Sequence, residues 1–140
     1  MGKLDDKVAI VTGAGGGLGR AHAVLLASHG ASVVVNDLGG ARDGSGAGTS
    51  MADSVVEEIT QAGGKAVANY GSVTNDEDAK NMIAAAKDSF GRVDILINNA
   101  GILRDRSFKN MTDDEWDAVV EVHLKGSYLA TKHAWKEMLE

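Results

Sequence analysis

Short apolar runs rich in β-branched residues alternate along this chain with segments whose apolar positions recur every three or four residues. In "KVAIVT" (7–12), "SVVVN" (32–36), "KAVANY" (65–70) and "VDILIN" (93–98) the apolar residues are consecutive rather than alternating. That pattern predicts strands buried on both faces. Between them, Leu18, Ala21 and Leu25 share one helical face, as do Ala52, Val55, Val56 and Ile59, and then Ala79, Met82, Ile83, Ala86 and Phe90. A last segment carries Trp116, Val119, Val120 and Leu124 and runs on as one long helix toward Trp135 and Met138. Ser50–Asp53, Thr74–Glu77 and Thr112–Glu115 each fit the pattern in which a hydroxyl and an acid three residues on satisfy free N–H groups at a helix start. The glycines of "HG" (29–30) and "AGG" (62–64) end the helices before them.

Strand and helix thus alternate four times. Such repeats force parallel pairing, right-handed crossovers and helices on both faces of one sheet. No linker or low-complexity stretch divides residues 1–140, which predicts a single α/β domain. Composition narrows the function. The net charge of −6 comes from interspersed acids and bases, leaving no basic face for nucleic acid or an anionic membrane. There are no cysteines, so disulfides and thiolate chemistry are excluded, and no metal site is expected. The apolar runs are too short to span a bilayer and no secretory leader opens the chain. The expected location is cytoplasmic. Proline is absent where an average chain would hold about 5%.

The chemistry begins at "TGAGGGLG" (12–19), between the first strand and the first helix. Gly13 suits a tight turn, Gly17 lets backbone approach a diphosphate, and Gly19 lets helix and strand pack closely. The helix start then offers unpaired N–H groups and a positive dipole end to an anion. A flexible turn would explain a lone glycine run equally well. Asp37, at the end of the second strand and about 20 residues beyond the loop, favours the dinucleotide reading. A carboxylate there accepts from ribose hydroxyls and repels a 2′-phosphate, so the expected cofactor is NAD rather than NADP.

"TGAGGGLG" together with "NNAG" (98–101) at the end of the fourth strand resembles the short-chain dehydrogenase/reductase family. "NDLGGARDGSGAG" (36–48) and "NNAGILRDRSF" (98–108) are similar to its branch containing the (3R)-hydroxyacyl-CoA dehydrogenase part of peroxisomal multifunctional enzyme type 2 and its bacterial relatives. The likeness covers residues 3–135 and implies, as an alternative location, the peroxisome if the parent protein is eukaryotic. It implies a Rossmann-like parallel sheet of four strands in the order 3-2-1-4, stopping before a fifth. Gly13, Gly17, Leu18 and Gly19 would hold the pyrophosphate and Asp37 the adenosine ribose. Ser72 and Val73 would lie near the adenine, where the wider family has Asp-Val, so Ser72 offers only a neutral contact. Asn99, Ala100 and Gly101 would pass close to the cofactor ribose, while Asn98 would tie strands together. Arg104, Asp105 and Arg106 could approach a substrate but read better as a solvated loop.

The family's chemistry uses a tyrosine, a lysine four residues on, and an upstream serine. Tyr128 and Lys132 keep that spacing, but they sit on the helix after the fourth strand rather than the fifth, and Glu115 stands where the serine would be. Tyr128–Lys132 is therefore expected to be a helix-surface pair, and no catalytic residue is assigned. His123 occupies the position of the family's asparagine, with a packed or capped role expected. Lys136 replaces a helix-breaking proline, so the last helix should continue.

Without a fifth strand, the fourth becomes an edge with unpaired backbone groups. The last helix would lose neighbours, with Trp116 or Trp135 exposed. A two-fold homodimer through the fourth-strand edge or the last helices is the expected consequence. The reading is an NAD-binding portion of a dehydrogenase, inactive alone. The alternative is a self-assembling fold fragment with a vestigial cofactor site.

Overall fold

A computed structural model describes residues 2–140. Its sheet contains β1 (Val8–Val11), β2 (Ser32–Asn36), β3 (Lys65–Asn69) and β4 (Ile95–Ile97), all parallel and ordered β3-β2-β1-β4. The expected order is therefore observed. Around the sheet lie α1 (Gly17–Ser28), α2 (Ser50–Gln61), α3 (Asp76–Phe90), α4 (Asp113–Val120) and α5 (Gly126–Met138).

Alternate residues of the central strand feed two cores, because successive strand side chains point to opposite faces. Ala9 and Val11 pack with Ala23, Ala27, Val55 and Ile59 of α1 and α2. Val8 and Ile10 pack with Met82, Ile83 and Ala86 of α3 and Ala134 of α5. Asp94 locks the start of β4 to β1. Its carboxylate accepts from the Val8 amide at 2.9 Å and from Arg92, and the Arg92 guanidinium is the main reason its pKa is lowered. β4 is short, pairs only with β1, and is half-buried along its length, as an edge strand would be.

Helix ends follow the sequence only in part. Thr112 caps α4 as expected, accepting from the Glu115 amide while its hydroxyl donates to the Glu115 carboxylate. At α3 the cap is Asn75, not Thr74, and at α2 Ser50 lies inside the helix with Thr49 before it making no capping bond. Gly30 and Gly63 follow the ends of α1 and α2 with positive φ, as their positions predict.

The last helix does continue past Lys136, but it is not regular. A π-helical turn over Glu121–Lys125 separates α4 from α5. Such turns arise where an extra residue is accommodated in a helix and are frequent at functional sites. Here Ser127 returns its hydroxyl to the His123 carbonyl at 2.7 Å. Gly126 meanwhile sits so close to Val73 that a β-carbon would fall 2.7 Å from Val73 Cγ2. No helix among the described residues is long and apolar enough to cross a membrane.

Candidate nucleotide site

The site forms where β1, β2 and β4 end together at the carboxyl edge of the sheet. Loop residues after those strands enclose a cleft of about 600 Å³ that touches Gly13, Asp37, Ser72, Asn99, Ala100 and Gly101. Clefts at this edge, beside the point where the strand order reverses, are where open α/β sheets bind ligands.

The floor is the glycine loop. Gly13 has φ +63°, and a β-carbon there would meet the Ala100 Cα at 2.8 Å. Gly16 precedes α1, whose first turn has no side-chain cap and no acidic residue. The first amides of α1 therefore face the cleft without a protein acceptor, next to the positive end of the helix dipole. Gly17 has open space around its missing side chain. Leu18, expected against the pyrophosphate, is 75% exposed and lies outside the cleft lining. Gly19 is buried beneath the loop, where its part is the close helix–strand packing expected of it.

Asp37 is held in place before any ligand arrives. Its two carboxylate oxygens accept from the Gly15 amide at 2.8 Å and the Gly39 amide at 2.7 Å. A carboxylate has about four lone-pair sites, so acceptor capacity remains for hydroxyls. On the far side of Asp37, buried Asn36 donates to Asn69 and to the Gly71 carbonyl, fixing the ends of β2 and β3. The Ser72 hydroxyl is paired with Thr74 Oγ1 at 2.8 Å and its amide with Asp78. Val73 is buried and contributes a wall.

At the β4 end the tying role expected of Asn98 falls to Asn99, which also lines the cleft. Asn98 is exposed and donates to Thr131 Oγ1 on α5 at 3.0 Å, so it ties a strand end to a helix and joins no strands. Asn99 does the tying: its side-chain amide donates to the Thr12 and Gly13 carbonyls, each at 3.1 Å. The buried Thr12 hydroxyl, which sequence reasoning overlooked, accepts from the Asn99 and Ala100 amides and donates to the Ile97 carbonyl. The backbone at Asn99–Gly101 is thereby presented to the cleft by a fixed scaffold.

The profile of the short chain dehydrogenase family matches residues 7–140. The chain belongs to that family. Peroxisomal multifunctional enzyme type 2 of Mus musculus is 54% identical over 136 residues, covering 97% of this chain and 18% of the mouse protein. Hydroxyacyl-CoA dehydrogenase ChsB1 of Mycobacterium tuberculosis is 47% identical over 137 residues, covering 96% of this chain and 42% of that one. A crystal structure of a short chain dehydrogenase from Mycobacterium avium superposes with a TM-score of 0.89 at 50% identity, over 97% of this chain and 49% of its own. The chain spans about half or less of the length of the relatives it matches.

In this short-chain dehydrogenase sequence, Tyr128 is 60% exposed on α5 and neither it nor Lys132 touches the cleft. Lys132 bonds Asp76 at 3.3 Å, with its ammonium 5.7 Å from the centre of the Tyr128 ring. His133 also bonds Asp76, at 2.8 Å, and is the chief cause of the lowered Asp76 pKa. The Tyr128–Lys132 pair thus belongs to a surface contact between α3 and α5. His123 packs its ring on Gly101 and sets Nε2 3.1 Å from both the amide and the carbonyl of Ile102. Arg106 pairs with Glu115, whereas Arg104 lines the cleft.

Proposed function

We propose that these 140 residues are the cofactor-holding portion of an NAD-linked dehydrogenase and that, alone, they bind the dinucleotide without turning it over. The observation that carries this reading is Asp37. Its carboxylate is fixed by two loop amides at one end of a cleft that continues across the glycine loop to Asn99–Gly101. The missing side chain at Gly17 leaves room for a diphosphate, the one at Gly13 lets the loop close on Ala100, and the uncapped start of α1 supplies donors. Ser72 and Val73 would flank the adenine. A bound nicotinamide would supply hydride chemistry. The names of the relatives support a 3-hydroxyacyl-CoA as the substrate of the whole protein, with oxidation of its hydroxyl as the reaction.

The test is a fluorescence titration of the chain with NADH and NADPH, alongside Asp37→Ala. Charge-assisted hydrogen bonds contribute about 1.5–3 kcal/mol, so the variant should bind NADH roughly tenfold or more weakly. The gap between NADH and NADPH should narrow at the same time. Absence of saturable binding at millimolar NADH would overturn the reading in favour of a fold fragment with a vestigial site.

A second copy of the chain is the partner we propose. Trp135 is 61% exposed and Trp116 58%, with Leu124 and Tyr128 also exposed on the same helical stretch, beside the open β4 edge. Exposed apolar side chains gathered on one helical stretch suit an interface. Sedimentation equilibrium at micromolar concentration should return twice the 14.5 kDa chain mass. A monomer mass would remove the proposal.

A further inference from the structure

The glycine-rich insert after β2 does not hang free. Ala41 donates to the Ser45 carbonyl at 2.8 Å, Gly44 to the Ala41 carbonyl at 2.9 Å, and Gly48 to the Leu38 carbonyl at 2.9 Å, which folds the insert on itself. Its tip then reaches the loop after β4. The Leu103 amide donates to the Arg42 carbonyl at 2.7 Å, Arg104 Nε donates to the Asp43 carbonyl, and Gly44 lies against the Ile102 side chain. β2 and β4 flank β1 in the sheet. A link between the segments that follow them therefore passes over the end of β1, where the glycine loop lies. The insert is a strap.

Two arginines sit where the strap meets the β4 loop. Arg42 and Arg104 both line the cleft, and neither takes part in an ion pair among the described residues. Arg104 spends its Nε on Asp43, which fixes the guanidinium and leaves its two terminal nitrogens available. Of the nearby carboxylates, Asp43 bonds Ser45 and feels the Arg104 charge only as a lesser influence, and Glu121 on the cleft wall reaches Lys125 at 3.5 Å. The chain carries a net charge of −6, so two unpaired cations at one cleft are a local exception. The same cleft is lined by Gly13, Gly16 and Gly17 at the uncapped start of α1. A group that accepts hydrogen bonds and carries negative charge fits there. A phosphate on the ribose beside Asp37 would meet that carboxylate, which the Gly15 and Gly39 amides hold in place, so the diphosphate is the better match.

We propose that Arg42 and Arg104 form a clamp, delivered by the strap, on the diphosphate of a dinucleotide lying on the glycine loop. This rests on the cofactor reading above and adds two binding residues to it. Arginine suits the task because its planar, permanently charged fork matches phosphate oxygens.

The experiment titrates the parent chain, Arg42→Gln and Arg104→Gln with NADH, NADPH, ADP and coenzyme A. Arg42 holds the strap through its carbonyl while its side chain makes no hydrogen bond among the described residues, so Arg42→Gln leaves the strap in place. An unchanged thermal melt and continued protection of the Leu103 amide from exchange verify that. Each variant is expected to weaken NADH, NADPH and ADP together by about tenfold, with a shallower dependence of affinity on salt. Loss confined to NADPH would assign the arginines to a 2′-phosphate, and loss confined to coenzyme A would assign them to the substrate; either overturns the clamp. Unchanged affinities would overturn it while leaving the cofactor reading intact. Failure of the parent chain to bind any of the nucleotides would remove both.

Discussion

Gly19→Ala is expected to lower the melting temperature by about 10 °C and to remove measurable NADH binding. Helix propensity predicts the opposite sign, since alanine is about 1 kcal/mol more favourable than glycine inside a helix. Packing decides against it. A β-carbon on Gly19 would lie 2.2 Å from the Gly13 carbonyl oxygen and 2.5 Å from Asn99 Nδ2, where ordinary contacts are about 3.5–4.0 Å. The first obstacle is backbone and cannot rotate away. The second is the amide that holds the ends of β1 and β4 together. Helix and loop must separate, at a cost of about 2–3 kcal/mol, which corresponds to roughly 10 °C for a domain of this size. The same movement displaces the first amides of α1 from the cleft. Gly16→Ala is the control: its backbone is extended and the nearest atom to the added carbon is Met51 Cε at 3.5 Å, so its melt should match the parent. Thermal melts by circular dichroism decide the matter, and a Gly19→Ala melt at or above the parent would refute the tight contact.

Thr12→Val should be nearly as damaging, although the two side chains have the same shape. Thr12 is 1% exposed, and its hydroxyl accepts from the Asn99 amide at 3.1 Å and the Ala100 amide at 3.0 Å. Valine fills the space and leaves both amides without that acceptor. The Asn99 amide keeps the Ile97 carbonyl at 3.0 Å, whereas the Ala100 amide is left unsatisfied; one buried unsatisfied donor costs about 1–3 kcal/mol, and urea denaturation should show a loss of that size. The longer bond to the Ile97 carbonyl, at 3.4 Å, adds little. Thr12→Ser keeps the acceptor and should recover most of the stability. Amide exchange at Asn99 and Ala100 should quicken in the valine variant and not in the serine one. Equal losses in both variants would mean that the methyl group, not the hydroxyl, carries the effect.

Both residues illustrate how far the sequence could be read. Gly19 was legible, because a glycine at that place in a strand–loop–helix motif has one packing task. Thr12 was not, since a threonine ending a buried strand looks like any β-branched strand residue until its neighbours are known. Asn98 and Asn99 show the same limit. Adjacent residues leaving a strand point to opposite sides, and only the position of Thr131 on one side and Thr12 on the other sorts their duties. At the helix starts "GTS" and "VTN" each offer neighbouring residues able to cap, so the expected cap at α3 missed by one position and that at α2 makes no bond.

Local chemistry by itself determined the strands, their parallel pairing and the glycine loop with its acid at Asp37, while the order of the strands followed from the family resemblance. Consecutive apolar residues have no stable place except between two layers of helix, and that constraint is written in every strand. Tertiary structure alone decided the π-turn, the Thr12 hub and the strap with its arginines. The His123 ring rests on Gly101 and bonds Ile102, and Gly126 is pressed on Val73, so the last helix takes its irregular turn among contacts made by distant segments. Arg42 and Arg104 lie far apart in sequence and meet only because β2 and β4 flank the same strand. Contacts of that kind depend on which chain ends the sheet brings together, and no periodicity in the sequence encodes them.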